Sequence, residues 1–594
     1  MKKFFYFFVI IMICFFIGKV KAISKSVIDV ENLTIEELQE YMDKGVITSE
    51  ELVNIYLERI NTYNDSFNAI ITVNENIVDE AREADELRRN GEVKGKLLGI
   101  PIIVKDNIDV KGMPTTAGAK ALKNNYPKED SEVVKLLKDE GAIVIAKANM
   151  SEFAFSAASS YSSYGYIYNA YKTGYTSYGS SGGSTVAVAL SFAPIALGTD
   201  TNSSVRLPAS AANLVGMRPT YGSLNSDGVI AYDINRDTVG VLTKYVSDNA
   251  LVMEILSGVE YKENEKIEDI TIGVPVSFYE GDAGASLAAN KKTAAPIKEM
   301  VKESIELLEA KGATIIYLED FYGSDEAYYN SSSISGFTMC KAFNEYILGT
   351  EGDIRTFQQL ANASGKVSSL KGYLNSCNYS KSSLNKVLNT QAKLRTYIES
   401  VYEEYDLDFI MYPSTKNLVY KKGNDNKLLN VSKTISSTIG FPSLVVPMGF
   451  YENLPYGLEF MAQKNEEESL YFIGEVYQSL NSTIDEVDTL APSLYEVPEG
   501  IDELLDLYML NYNNKNKEVK EWLSLVNEYF RAYASDKEVS DIKELIEAFP
   551  EVKNNVAKID NAIVENGRLS TSFDRYLVII VMVLIAIVIY KKTL

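Results

Sequence analysis

A lysine and two serine-rich turns are the residues whose types and spacing in this sequence could carry acid–base chemistry. Lys105 directly follows the apolar run 101–104 (PIIV). Burial there would disfavour the charged ammonium group and lower its pKa, which would turn Lys105 into a usable base. The alternative is a strand-end lysine that reaches water. The turns 179–184 (GSSGGS) and 198–206 (GTDTNSSVR) could each point several backbone N–H groups at one spot, as an oxyanion requires, although serine and glycine also fill ordinary turns.

The absence of histidine narrows the chemistry. No histidine occurs in the 594 residues, which excludes Ser-His-Asp and Cys-His catalytic arrangements and removes the commonest zinc and non-haem iron ligand. The cysteines Cys14, Cys340 and Cys377 form no C-x-x-C pair, so neither a zinc ribbon nor a thioredoxin-like site is indicated. Cys340 and Cys377 could pair outside the cell, which the sequence does not decide. We expect neither a metal nor a cofactor.

The composition is that of a folded, acidic protein. Hydrophobic residues make up 46% and charged residues 23% of the chain, which is ordinary for a globular protein. Asp and Glu number 81 against 58 Lys and Arg, which gives a net charge of −23. Such a chain is repelled by phosphate backbones, so nucleic acid is disfavoured as a partner; solubility is the simpler explanation of the acidity.

Hydrophobic periodicity predicts helices at both ends of the main body. Residues 32–90 carry apolar side chains at helical spacing, and Thr48 with Ser49 precedes a Glu-Glu pair as a helix cap does. Residues 500–570 return to this pattern, with apolar residues of 519–533 on one helical stripe. We therefore predict a helical spacer after the main body.

Between these helices the pattern is that of strands alternating with helices. The short apolar runs 98–104 and 142–146 predict strands, and a helix candidate lies between them. This alternation favours an α/β fold with a buried, mixed sheet. The Gly/Ser-rich stretch 173–184 alone could be a flexible linker, but the small apolar residues of 185–197 that follow it argue against that interpretation.

Taken together and in this order, the segments make the sequence resemble the amidase signature family. The resemblance covers about 30–485 and implies the family's fold, a central mixed and twisted β-sheet covered by α-helices on both faces. It also implies hydrolysis of amide bonds. The matching segments are 97–107 (LLGIPIIVKDN), 146–154 (AKANMSEFA), 179–183 (GSSGG), 198–206, 214–222 (LVGMRPTYG), 237–240 (DTVG), 440–449 (GFPSLVVPMG) and 454–459 (LPYGLE).

The resemblance also implies roles for single residues. Lys105 matches the family's base, Ser180 its bridging serine, usually held by a cis peptide, and Ser204 its nucleophile. The backbone N–H groups that would hold the oxyanion belong to Thr201, Asn202, Ser203 and Ser204. Supporting hydrogen-bond residues of the family correspond to Ser181, Asp200 and Arg206, and a buried ion pair is the alternative for the last two.

One departure from the family and one group of tyrosines bear on the substrate. The family usually has Gly-Gly before the nucleophile, whereas this chain has Asn202 and Ser203, whose side chains should crowd the site. We therefore expect an unusual substrate or a reduced activity. Candidate substrate-binding residues precede the first serine turn, although they could equally pack or coat the surface; they are Met150, Tyr161, Tyr164 and Tyr166.

The two ends predict the location of the protein. Two lysines, an apolar run and V-x-A at 20–22 predict a cleaved signal peptide over 1–22, with an uncleaved anchor as the alternative. The uncharged residues 576–590 span roughly 22 Å as a helix and predict a transmembrane anchor, with a buried core helix as the alternative. Residues 591–594 would form a cytoplasmic tail. The remaining parts would be an amidase domain over 23–490 and a helical spacer over 491–575.

These observations support an exported, surface-anchored amidase that acts on a small amide or a peptide C-terminal amide. A surface binding protein that keeps the fold but is weakly active or inactive is the second hypothesis. An A-type subunit of a glutamyl-tRNA amidotransferase is the third, and the leader and tail argue against it. The oligomeric state is not indicated.

Overall fold

The computed structural model describes residues 24–550, except 93–94, 262–264, 281–292, 320, 322–333, 425–434, 482–486, 536 and 538. Two compact units are present. The larger consists of Val30–Asp43 and Ile47–Leu494, and the smaller of Lys44–Val46 with the described parts of Met1–Asp29 and Tyr495–Leu594. The signal peptide predicted over 1–22, the anchor over 576–590 and the tail over 591–594 lie outside the described residues.

The larger unit is built around one mixed sheet, in agreement with the predicted α/β class. Among the described residues, eleven strands form it in the order β12-β11-β14-β16-β15-β9-β10-β8-β3-β5-β2. The strands are, in chain order, β1 (Ser24–Lys25), β2 (Ile70–Val73), β3 (Pro101–Lys105), β4 (Tyr126–Pro127), β5 (Ile143–Ala148), β6 (Tyr161–Ser162), β7 (Gly165–Tyr166), β8 (Ile195–Asp200), β9 (Val215–Arg218), β10 (Thr238–Thr243), β11 (Thr271–Pro275), β12 (Thr314–Leu318), β13 (Thr350–Glu351), β14 (Phe409–Pro413), β15 (Ser443–Tyr451), β16 (Leu454–Met461) and β17 (Tyr495–Glu496).

The centre of the sheet is buried from both sides. Every residue of β3, β5, β8 and β10 is buried. Because successive side chains of a strand point to opposite faces, complete burial means that both faces are covered at these strands. Strand β3 runs parallel to β5 and β8, whereas β10 runs antiparallel to β8.

The described residues also form α-helices between and after the strands. Thr48 caps the second of them and forms a capping box with Glu51, which confirms the cap predicted from the sequence. The helices are α1 (Ile35–Asp43), α2 (Ser49–Phe67), α3 (Ile77–Arg89), α4 (Glu132–Asp139), α5 (Gly182–Ala189), α6 (Arg206–Ser210), α7 (Val246–Ser257), α8 (Val276–Tyr279), α9 (Ala295–Lys311), α10 (Ser335–Tyr346), α11 (Phe357–Asn362), α12 (Lys381–Tyr405), α13 (Ile435–Ile439), α14 (Glu467–Leu480), α15 (Ile501–Asn511), α16 (Lys517–Ala534) and α17 (Ile542–Glu547).

Apart from residues 491–494, the part of the predicted spacer that the structure describes lies in the smaller unit. Helices α15, α16 and α17 lie there, and the apolar stripe predicted within 519–533 is buried along α16. Trp522 of this stripe donates a hydrogen bond to the backbone oxygen of Leu545 at 2.7 Å and packs its ring on Phe549. No helix of the described residues is both long and apolar enough to cross a bilayer.

The two cysteines that the sequence left undecided form a disulfide. Cys340 lies on α10 and is buried, whereas Cys377 ends a short 3-10 helix (Lys371–Cys377) and is exposed. Their Cα atoms are 5.0 Å apart and 37 residues separate them in the chain. The bond therefore ties this 3-10 helix to α10.

Candidate active site

The sheet brings the predicted lysine and both serine-rich turns to one place. Strands β3 and β8 are parallel neighbours, with Val104 opposite Leu197, so their carboxyl ends reach the same edge. Lys105 is the last residue of β3, and the second turn continues directly from the end of β8. The first turn leads into α5, which packs against both strands.

Lys105 is fully buried, and four oxygen atoms lie within hydrogen-bond distance of its Nζ. Its Nζ lies 2.8 Å from Ser180 Oγ, 2.9 Å from Ser181 Oγ, 2.7 Å from Thr199 Oγ1 and 3.2 Å from the Thr199 backbone oxygen. Burial lowers the pKa of Lys105 to about 7, although the charges of Asp200 and Asp237 act in the opposite direction. A large fraction of the lysine is therefore neutral near pH 7, which is the form that can accept a proton.

The serines of the two turns lie side by side. The peptide bond between Gly179 and Ser180 is cis, as the family resemblance implied. The backbone N–H of Ser181 donates to the backbone oxygen of Ser204 at 3.1 Å, which joins the two turns directly at the predicted nucleophile. Ser180 is completely buried, whereas Ser204 retains 4% of its surface. Among the described residues, no hydrogen bond joins Ser180 Oγ to Ser204 Oγ. This does not argue against a proton relay between them, because hydrogen bonds between catalytic groups often tighten only when substrate binds.

The predicted oxyanion loop, residues 201–204, is held by a carboxyl group that lies just before β10. Thr201 Oγ1 donates a hydrogen bond to Asp237 Oδ1 at 2.6 Å. The other carboxyl oxygen, Asp237 Oδ2, accepts hydrogen bonds from the backbone N–H groups of Tyr232 and Asp233. Desolvation raises the pKa of Asp237 to about 7, and the neighbouring Asp233 adds to this effect, although part of the Asp237 surface stays accessible.

The supporting residues form a buried ionic network beside the loop. Asp200 accepts hydrogen bonds from Arg206 and Arg218, and Arg206 also pairs with Glu459 of β16. Burial alone would raise the pKa of Asp200, but the two arginines lower it to about 2. Asp200 is therefore charged, and it forms a buried ion pair with Arg206 while it also accepts the backbone N–H of Val205 at 3.1 Å. Ser443 and Tyr412 donate to the same Glu459 oxygen.

Comparison with known proteins identifies the family. The Amidase family model matches residues 51–471, which is more than half of the chain. The chain belongs to the amidase signature family. The A-type subunit of glutamyl-tRNA(Gln) amidotransferase from Thermoanaerobacter pseudethanolicus is 30% identical over 484 residues, which cover 76% of this chain and 96% of that protein. The corresponding protein of Clostridium botulinum strain Hall is also 30% identical, over 76% of this chain and 97% of its own length.

Solved structures of amidases share the fold. A peptide amidase from Stenotrophomonas maltophilia superposes with a TM-score of 0.65 at 24% identity, over 75% of this chain and 96% of its own. An amidase family protein from Bacillus anthracis str. Ames has a TM-score of 0.66 at 26% identity, over 76% and 91% respectively. The larger unit is therefore an amidase-signature fold.

The replacement of the family's usual glycines is accommodated without left-handed backbone. Neither Asn202 nor Ser203 is among the residues with positive φ, so the loop does not require glycine there. The side chain of Ser203 is buried, and Asn202 Oδ1 accepts a hydrogen bond of 2.6 Å from Arg236. The two side chains therefore have defined places in the loop of this amidase, and Asn202 keeps part of its surface accessible.

The candidate substrate-binding residues lie in two places. Met150 is completely buried in an apolar cluster with Phe153 and Met339. The tyrosines lie on the hairpin of β6 and β7, where Tyr161 is half exposed, Tyr164 lies under Lys120 and Tyr166 lies under Lys422. These contacts are those of a packed surface hairpin, and a role of the tyrosines in substrate binding stays a prediction.

Sequence reasoning missed several residues that hold the amidase site together. Thr199 provides two of the four acceptors of the lysine, Asp237 holds the oxyanion loop and Arg236 holds Asn202. The segments that match the family include Thr199, Asp237 and Glu459, so the resemblance could have pointed to these three residues. Arg236 lies just outside such a segment, and only the folded chain shows what it contacts.

Proposed function

We propose that the protein hydrolyses carboxamides through an acyl-enzyme formed on Ser204. The observation that carries the proposal is the buried Lys105, whose Nζ has a pKa of about 7 and lies 2.8 Å from Ser180 Oγ. A lysine in this state is a general base that works near neutral pH without histidine. Its neighbour Ser180 belongs to the turn that is hydrogen-bonded to Ser204 through Ser181.

The proposed reaction proceeds in two halves. Neutral Lys105 accepts the proton of Ser180, and Ser180 accepts the proton of Ser204, whose Oγ forms a bond to the amide carbonyl carbon. Backbone N–H groups of 201–204 would stabilise the negative oxygen of the tetrahedral intermediate. The C–N bond then breaks as the proton passes from Lys105 through Ser180 to the leaving nitrogen. Water attacks the resulting ester, and the same relay accepts its proton and returns one to Ser204 as the acid departs.

The proposed substrates are small amides or the C-terminal amides of peptides. The similarity of fold to a protein described as a peptide amidase supports this class. We further propose that the chain is exported through the leader 1–22 and anchored by 576–590, with the body outside the cell. Extracellular peptides and small amides would then be within its reach.

A fluorophosphonate probe tests for an activated serine. The full chain is labelled alongside Ser204→Ala, Lys105→Ala and Ser400→Ala, the last of which alters an exposed serine of α12. We expect wild type and Ser400→Ala to be labelled, and the other two variants to lose the signal. A well-folded wild type that is not labelled would favour the surface binding protein instead.

The curated relatives support one second candidate, a component of an amidotransferase. Proteins named as the A-type subunit of glutamyl-tRNA(Gln) amidotransferase are 30% identical over most of their length. Such a component would work inside the cell with partner proteins. Surface proteolysis of intact cells distinguishes the two, because an exported body is digested while a cytoplasmic one is protected. Release of ammonia from a free amide by the purified chain alone would also favour the hydrolase.

A further inference from the structure

The side chain of Asn202 is fixed in an orientation that leaves its donor group available. Arg236 Nη1 lies 2.6 Å from Asn202 Oδ1. Arginine can only donate hydrogen bonds, so the amide atom that faces it must be the oxygen. The Nδ2 group carries two hydrogens, and it makes no hydrogen bond to any described residue. Asn202 is also partly accessible, so a bound molecule can reach it.

The backbone of Asn202 is held as firmly as its side chain. Its carbonyl oxygen accepts hydrogen bonds from Arg206 and, at 3.2 Å, from Ser437 Oγ of α13. Arg236 in turn donates to Thr438 Oγ1 at 2.9 Å, so the same short helix anchors both the residue and the group that orients it. Asn202 is therefore a preorganised donor two residues before Ser204, rather than a side chain free to rotate.

The arginine does more than position the amide. Arg236 is 1% exposed, and burial lowers its pKa to about 10, so it stays charged at neutral pH. A buried cation bound to the oxygen of an amide draws electron density from the nitrogen, which strengthens the N–H groups as donors. Burying an arginine is costly, and the two terminal nitrogens of Arg236 donate to Asn202 and Thr438, whereas its Nε has no partner among the described residues.

We propose that Asn202 is a specificity-determining residue whose Nδ2 donates a hydrogen bond to a second carbonyl of the substrate, next to the scissile amide. This inference rests on the proposed amide hydrolysis and names its substrate class, which is carboxamides with a neighbouring acyl-amino group. The oxyanion itself has the backbone N–H groups of 201–204, so the side chain is an additional donor for another acceptor. Arg236 is the positioning residue for this donor.

Two substrates and an isosteric variant test the assignment. N-acetylphenylalaninamide carries a second carbonyl, and 3-phenylpropionamide is the same amide without the acetamido group. Asn202→Asp retains the shape and the Arg236 partner but replaces the donor by an acceptor. We expect the ratio of kcat/KM for the first substrate to that for the second to fall about tenfold or more. Asn225→Asp makes the same change at an exposed loop position and should leave the ratio as in wild type.

Asn202→Gly provides a second route in case the aspartate variant does not fold. It removes the donor entirely, and its ratio should fall in the same direction. A ratio within about twofold of wild type in both variants, with kcat/KM for the two substrates reduced together, would overturn the specificity role. A folded wild type that hydrolyses neither amide and is not labelled by a fluorophosphonate would refute the proposed function, and the inference with it.

Discussion

The pH dependence of amide hydrolysis should follow the proton equilibrium of Lys105. The base must be neutral to act, and its pKa is about 7 in the folded protein. A single group of this pKa is neutral in about a tenth of the molecules at pH 6, about half at pH 7 and about nine tenths at pH 8. We therefore expect kcat/KM at pH 6 to be about a tenth of its plateau above pH 8, and to rise with pH rather than fall.

The charge of Asp237 provides a perturbation with a predicted sign. Its carboxylate raises the pKa of Lys105, second in effect among charges to that of Asp200. Asp237→Asn removes this charge and should therefore move the midpoint to lower pH, so that the ratio of kcat/KM at pH 6 to that at pH 8 increases. The substitution also weakens the hydrogen bond between residue 237 and Thr201, which could lower activity. A loss that is equal at both pH values leaves this ratio unchanged.

A matched control excludes a general effect of removing a buried carboxyl group. Asp248 of α7 also has a pKa raised to about 7 by burial, and it accepts a hydrogen bond from the backbone of Ile35. It is not among the charges that act on Lys105, so Asp248→Asn should leave the pH profile unchanged. The assay is ammonia release at substrate concentrations well below KM from pH 5 to 10. A rate that is still rising steeply at pH 10, as the ordinary lysine pKa of 10.5 would give, or a shift to higher pH in Asp237→Asn, would refute the reasoning.

Three further changes test the structure around the site. Replacing Cys340 and Cys377 by serine removes the disulfide, whose two cysteines are 37 residues apart in the chain. Because a cross-link over a loop of this length restricts the unfolded chain, its loss should lower the free energy of unfolding by about 4 kcal/mol, measured by urea titration under non-reducing conditions. Gly183→Ala would place a Cβ 2.0 Å from the Asn149 backbone oxygen, so thermal melting should show a loss of roughly 2–3 kcal/mol. Thr199→Val removes the hydroxyl that lies 2.7 Å from Lys105 Nζ and, if Lys105 is the proposed base, should lower kcat about tenfold with little change in KM, measured by initial rates.

The sequence was most informative where function lies in short segments. Lys105 and the two serine-rich turns were selected from residue types and the absence of histidine. The family resemblance then singled out Ser180 and Ser204 within those turns, and the structure brings the two turns and the lysine together. The strand that ends at Lys105 was also predicted, because an uninterrupted apolar run is typical of a strand buried on both faces. Local patterns such as the Thr48 cap are recoverable for the same reason, since all their atoms lie within a few residues.

Contacts between distant segments were not recoverable from the sequence. Asn202 and Arg236 are 34 residues apart, and nothing in either segment alone indicates that one binds the other. The sequence did not decide whether Cys340 and Cys377 form a disulfide, because their spacing along the chain does not show whether their Cα atoms come within 5.0 Å of each other. Asn202 and Ser203 take backbone conformations that ordinary residues adopt, so the loop tolerates the loss of glycine. The expected crowding of the site by their side chains stays a prediction.

The site combines a charged Asp200 with a lysine, Lys105, that is about half neutral at pH 7 because burial lowers its pKa. An isolated carboxylate at the end of β8 would favour the charged form of the lysine and so weaken it as a base. Here Arg206 and Arg218 compensate the charge of Asp200. The same arginines also hold the backbone around the loop in place. Arg206 donates a hydrogen bond to the backbone oxygen of Asn202, and Arg218 donates one to the backbone oxygen of Arg236 at 2.8 Å. Charge compensation and positioning of the oxyanion loop are therefore performed by the same side chains.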